Sequence, residues 1–166
     1  MRRQRGFSLI ELLIVVAIIL IIAAIALPNL LRARIAANES SASASMRAIS
    51  TSELTYNLAY PTIGYAALPA LGGAAPCTIS SATACMVDGV LTTGIKSGYT
   101  FTATPTSSGA PVMDQFLVTG VPVTVGTSGE KGFCTIEDHV IFFIPDATSP
   151  ATRSVCLDGT YLPVGQ

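Results

Sequence analysis

The chain is poor in charge and in most residues that do chemistry. Only 11% of its 166 residues are Asp, Glu, Lys or Arg, against roughly 25% in an average soluble domain. Nine basic residues face ten acidic ones, for a formal charge of −1. That balance excludes a basic nucleic-acid-binding domain on composition, and a highly charged disordered chain as well. Trp is absent, His occurs once and Cys four times. A multi-ligand metal site or a His-based catalytic centre has little to draw on. Glycine is missing from Phe7 through Ile63. What the chain has in excess is apolar surface, half of all residues, and its placement is uneven.

Met1 to Gly6 carries Arg2, Arg3 and Arg5 and no acid. Phe7 to Leu27 then runs 21 residues with two polar interruptions, Ser8 and Glu11. At ~1.5 Å per residue, about 20 residues cross the ~30 Å hydrocarbon core of a bilayer. The stretch is long enough to span. The arginines predict a cytoplasmic N-terminus, with the rest of the chain beyond the membrane. An ordinary secretory signal would have an apolar core of roughly 7–15 residues and a small-residue cleavage site. Ala23-Ala24-Ile25-Ala26 imitates such a site. The run is longer than that, however, and it contains Glu11. An unpaired charge there costs ~2.5–3.5 kcal/mol on insertion scales, and a plain signal has no use for it.

Arg5-Gly6-Phe7-Ser8-Leu9-Ile10-Glu11-Leu12-Leu13 resembles the type IV prepilin signature, shared by type IV pilins and the pseudopilins of type II secretion. The resemblance implies cleavage after Gly6 by a prepilin peptidase and N-methylation of the new terminus, Phe7. Glu11 then falls at the fifth mature position, where the family has its glutamate. Pro28 falls at the twenty-second, where many members carry proline. The close resemblance covers about the first 35 residues. It implies a register contact in which Glu11 of one subunit neutralises the Phe7 amine of its neighbour. The physics agrees: opposite buried charges offset each other's desolvation, while either alone is penalised by several kcal/mol. Cleavage also removes three positive charges, leaving six basic and ten acidic residues. Pro28 cannot donate a backbone hydrogen bond and is expected to kink or loosen the helix near residues 24–27. Many pilins have a glycine in the membrane segment; this chain departs from them there.

Asn29 to Tyr60 reads as the same helix continued. Ile35, Ala42, Met46, Ile49, Glu53, Tyr56 and Tyr60 recur at spacings of three, four or seven, which is one helix face. Ser40, Ser41, Ser43, Ser45, Ser50 and Ser52 are expected on the opposite side. Tyr60 precedes Pro61, a helix boundary. A helix from Phe7 to about Tyr60 would be on the order of 80 Å long. Asn38-Glu39-Ser40 matches a glycosylation pattern, but it lies mid-helix and such triplets are common by chance.

Thirteen of fourteen glycines and nine of ten prolines follow Tyr60. Residues 61–98 read as a loop-rich connector, and 99–166 as a sheet domain. Tyr99 to Ala103 alternates as a strand should. Gln115 to Thr119 and Val121 to Val125 are two further strands, with Pro122 marking the second as an edge or a break. Gly132 to Ile136 and Val140 to Ile144 flank Glu137-Asp138-His139 as a hairpin. Ser154 to Tyr161 closes the domain. The expected fold is α+β and type IV pilin-like: a long kinked helix, membrane-spanning over 7–27 and continuing over 28–60, packed on an antiparallel sheet of about four strands. The leader is 1–6.

Four cysteines in an exported domain favour disulfides, with three possible pairings. The resemblance favours the sequential one, Cys77–Cys85 and Cys134–Cys156, because a late loop pinned by a disulfide is common in pilins. A catalytic Cys134–His139 pair is the alternative, but it needs a free thiol. Asp88-Gly89 and Asp158-Gly159 read as turns. No clustered acids supply the six to eight oxygens that calcium takes, although Glu130, Glu137, Asp138 and Asp146 could converge. No cofactor or metal is expected.

The resemblance implies a non-enzymatic filament subunit for adhesion, motility or DNA uptake. Its partners would be further copies of itself and other pilins, the prepilin peptidase, the inner-membrane assembly platform with its ATPase, and membrane lipid before assembly. The alternative is a type II secretion pseudopilin driving protein export. A DNA receptor would need Arg47, Lys96, Lys131 and Arg153 to cluster, against the negative charge of the mature chain. An anchored enzyme or ligand-binding domain has no residue pattern in its favour.

Overall fold

The computed structural model describes residues 7–109, 111–147, 153–158 and 162–164. The leader, with Gly6, lies outside them, as do Gly159 and Tyr161. The chain divides between Arg34 and Ile35 into two compact units, each taken separately here.

One helix, α1 (Leu9–Ala59), contributes to both units. Its 51 residues correspond to about 76 Å at ~1.5 Å rise each. The only proline in it is Pro28. Helix continues on both sides of that residue, which has no N–H to offer the Ala24 carbonyl. Asn29 Nδ2 reaches back to the Ile25 carbonyl at 3.4 Å.

In the unit from Ile35 onward, six strands follow the helix: β1 (Ile95–Lys96), β2 (Tyr99–Thr106), β3 (Gln115–Pro122), β4 (Gly132–Thr135), β5 (Phe142–Ile144) and β6 (Leu162–Pro163). They pair antiparallel in sequence order, β1 to β6. The sheet therefore has six strands and not about four. The two extra ones, β1 and β6, are two residues each, too short to show any alternation. The two segments read as separate strands between Gln115 and Val125 are one. β3 runs on to Pro122, which ends the strand opposite Tyr99. A proline is tolerated at such an end because the ladder needs no further donor from it. Residues 153–158, within the segment expected to close the domain, hold a short helix, α4 (Arg153–Leu157).

Alternation on β2 turns Tyr99, Phe101 and Ala103 inward. They meet Ala42, Met46, Ile49 and Tyr56 of α1, together with Phe116, Val118 and Phe133. Gly120 makes the close approach possible. A Cβ there would lie 3.1 Å from the Phe101 ring and 3.2 Å from the Met46 sulfur.

Ser43, Ser45, Ser50 and Ser52 are buried, so they flank the packed face and do not lie opposite it. The helix is covered on more than its apolar face. Ser50 Oγ and His139 Nδ1, from the loop after β4, share a hydrogen bond of 2.7 Å. Ser52 donates to the Met86 carbonyl at 3.3 Å. A serine is small and carries its own donor, so it admits a neighbouring backbone where a longer side chain would not. The connector, residues 61–98, contributes to the core. It contains α2 (Leu68–Leu71) and α3 (Gly89–Thr92) and buries Tyr65, Leu68, Leu71, Val87 and Leu91. Asp88 is the N-cap of α3, accepting the Val90 and Leu91 amides. Its bond from Lys96, then those amides, hold its carboxyl below the ordinary range.

Ser50→Ala is expected to cost about 1 kcal/mol, the net worth of one intramolecular hydrogen bond. Urea unfolding checks it. The midpoint falls while the slope stays constant if only this bond is lost.

Candidate assembly site on the N-terminal helix

From Phe7 to Leu31 every large apolar side chain is open, between 41% and 82% exposed. None of the described residues of this unit covers them. The surface far exceeds the few hundred Å² that a soluble monomer normally leaves as one apolar patch. Among the described residues, α1 is the one helix long and apolar enough to cross a membrane. Its exposure is all round, which suits lipid or a bundle of like helices and not a single packed face.

Glu11 sits in the first turn of α1. Its Oε2 accepts the Ser8 N–H at 2.9 Å. Ser8-Leu9-Ile10-Glu11 therefore forms the reciprocal half of a capping box, with Ser8 before the first helical residue and Glu11 three further on. Sequence reasoning passed over Ser8 as an interruption, although Ser-x-x-Glu was the signal. The bond fixes Glu11 near the start of the helix and supplies one donor to a carboxylate otherwise surrounded by apolar side chains. Phe7, 81% exposed, is two residues before the helix begins.

Elsewhere the structure disperses the other candidates. Cys77 is bonded to Cys85 and Cys134 to Cys156, with Cα–Cα distances of 6.0 and 6.3 Å. Cys134 has no thiol to offer, and His139 faces Ser50 and the Phe116 ring. Ser50 is 3% exposed. Three of the four cations considered for DNA are each paired with a carboxylate: Lys96 with Asp88 at 2.8 Å, Lys131 with Glu39 at 2.8 Å, and Arg153 with Glu137 at 2.6 Å. Glu137 also accepts the Phe116 N–H, so it braces α4 against β3. Among the described residues no group of three or more His, Cys, Asp or Glu could hold a metal ion. Asn38 of the glycosylation-like triplet donates to the Ser128 carbonyl at 2.7 Å, which ties its amide into the fold.

Glu53 was read only as one member of a helix face. It is fully buried, and Oε2 accepts the Ala66 N–H at 3.0 Å. Its other oxygen has no partner. Burial, opposed by the Ala66 bond, raises its pKa from 4.5 to about 7.

Comparison with known proteins agrees with the N-terminal geometry. Residues 1–27 match the family model of the prokaryotic N-terminal methylation motif. The chain is 64% identical over 39 residues to the type IV wide pilus major component PilA4 of Thermus thermophilus, covering 24% of this chain and 30% of that protein. It is 46% identical over 54 residues to the type IV major pilin protein PilA of Myxococcus xanthus, covering 32% and 24%. The matches thus span under a third of either relative. No solved structure matches significantly. The N-terminal segment of this chain carries the prokaryotic N-terminal methylation motif, and through its first part the chain is similar to type IV pilins.

Proposed function

We propose that this chain is a structural subunit of a type IV pilus-like filament and not an enzyme. One observation carries the reading: an open apolar segment, 7–31, helical from Leu9 and interrupted near its start by a single carboxylate. A bilayer can hold such a helix, and so can a bundle of identical helices. Only the bundle offers Glu11 an opposite charge at a fixed height. The precursor rests in the cytoplasmic membrane with Arg2, Arg3 and Arg5 inside. Prepilin peptidase cuts between Gly6 and Phe7 and methylates the Phe7 amine. Removal of the arginines frees the helix to leave the bilayer, and the new amine docks on Glu11 of a neighbour. An assembly platform and its ATPase supply the lift. Pro28, without an amide to donate, is where the helix can give way during packing.

The test is to shear surface filaments from the native cells and sequence the N-terminal peptide by mass spectrometry. The expected result is a peptide starting at Phe7 and heavier by one methyl group. Processed chain held in the membrane and missing from the sheared fraction would favour the secretion pseudopilin. A chain still beginning at Met1 would sink both.

A further inference from the structure

Beyond Ile35, most charged side chains have a partner within the chain. Lys96, Lys131 and Arg153 each have a carboxylate. Asp114 bonds Ser108, Asp138 holds the Val140 amide, and Asp146 and Asp158 have partners too. Among the described residues of this unit, two exposed charged side chains have neither a hydrogen bond nor an ion pair, the cation Arg47 and the anion Glu130.

Arg47 lines a cleft of about 440 Å³ between α1 and the sheet. Ser40, Ser43 and Arg47 stand on its helix side, at i, i+3 and i+7, so they share one face. Phe133 and Phe143 form its apolar wall. Glu39 also borders it, but Lys131 neutralises that carboxylate, and the Glu130 and Lys131 amides bond to it. The cleft is left with one net positive charge. Ser43 is 8% exposed, and its buried Oγ has no hydrogen-bond partner. A buried hydroxyl at a cleft wall without a partner is the kind of group that a bound acceptor satisfies.

Glu130 cannot fill this place in its own chain. Its N–H bonds to Glu39 Oε1 at 3.1 Å, which sets it level with Glu39. Arg47 lies eight residues further along α1, about 12 Å at ~1.5 Å each. A second copy moved that far toward the C-terminal end of α1 brings its Glu130 level with this Arg47.

We propose that the cleft is a socket for a second copy of this chain, in which Arg47 and Ser43 of one subunit receive the Glu130 carboxylate of the next. The contact is head-to-tail. It leaves the second copy's own socket open for a third, so it propagates a fibre and does not close a dimer. The proposal rests on the polymerisation read above and adds the partner residues and the axial offset.

The test uses full-length chain assembled into filaments. Subunits carrying Arg47→Lys are treated with a carbodiimide, which joins an amine to a carboxylate in contact with it. Filaments mixed from light and heavy nitrogen-labelled chains then distinguish links between chains from links within one. The expected product joins position 47 of one chain to Glu130 of another. The Lys131–Glu39 pair, 2.8 Å apart, gives a link within one chain as an internal control. Arg47→Glu and Glu130→Arg are each expected to lower filament yield by about tenfold or more, and the double swap to restore it to within about threefold. Filaments that form normally with either reversal, or that give the Lys131–Glu39 link and no 47–130 link, overturn the socket and leave the polymerisation reading standing. Wild-type chain that forms no filaments fails that reading itself, and the socket with it.

Discussion

Glu11→Gln is expected to abolish filament assembly while leaving the chain inserted in the membrane and cleaved. Glutamine keeps the shape and an acceptor for the Ser8 N–H, now 2.9 Å from Oε2, so the first turn of α1 is preserved. What it loses is the charge. Insertion becomes easier, because an unpaired carboxylate in hydrocarbon costs ~2.5–3.5 kcal/mol. Assembly becomes harder. The Phe7 amine of the neighbour must then be buried with no counter-charge, and breaking such a pair costs about 3–5 kcal/mol. That is at least a hundredfold in the equilibrium for adding one subunit, at about 1.4 kcal/mol per tenfold. The check is the ratio of sheared filament to membrane pool, read with one antibody in both fractions. The variant should accumulate in the membrane, processed. Wild-type filament yield would remove Glu11 from assembly and leave it as a helix cap only.

How far the sequence revealed this arrangement differs between its parts, for physical reasons. α1 was legible because its signal is long. An unbroken apolar run needs no partner to be recognised, and the positions from Ile35 to Tyr56 repeat at helical spacing over five turns or more. β2 was legible because Tyr99, Phe101 and Ala103 alternate with threonines. β1 and β6 were not, since two residues have no period. The buried serines were placed opposite the packed face because they are polar. Ser50 and Ser52 are satisfied by His139 and Met86, partners 89 and 34 residues away in sequence, and no local pattern announces them. In the connector, turns dominate the composition, while Leu68, Leu71 and Leu91 are buried in a core they share with α1 and the sheet, which no local pattern announces. At the N-terminus the reverse held. Glu11 stood out through its cost, one charge in an apolar stretch, while Ser8 at its side went unread.

Glu53 shows the same cost inside the folded unit, and it sets the second large expected effect. Its carboxyl titrates near 7 in the fold, raised by burial from 4.5. The folded chain therefore binds the proton more tightly than the unfolded one. Stability from this group is fully present below about pH 4.5 and is lost as pH rises through about 7. At about 1.4 kcal/mol per pKa unit, the loss amounts to about 3 kcal/mol by pH 8. Glu53→Gln keeps an oxygen for the Ala66 N–H and cannot ionise. The variant should match the wild type near pH 4 and exceed it by about 3 kcal/mol near pH 8. Because the comparison is between two chains at each pH, the other titrating groups cancel. Urea unfolding of the full chain in lipid nanodiscs, followed by near-ultraviolet circular dichroism of Tyr56, Tyr65 and Tyr99, gives the difference directly. A gap that stays constant from pH 4 to 8 would mean that Glu53 keeps one protonation state throughout, with its partnerless oxygen satisfied by water. If the gap opens as expected, the fold around Glu53 is more stable in acid than in alkali, because burial penalises the carboxylate by more than the Ala66 N–H bond favours it.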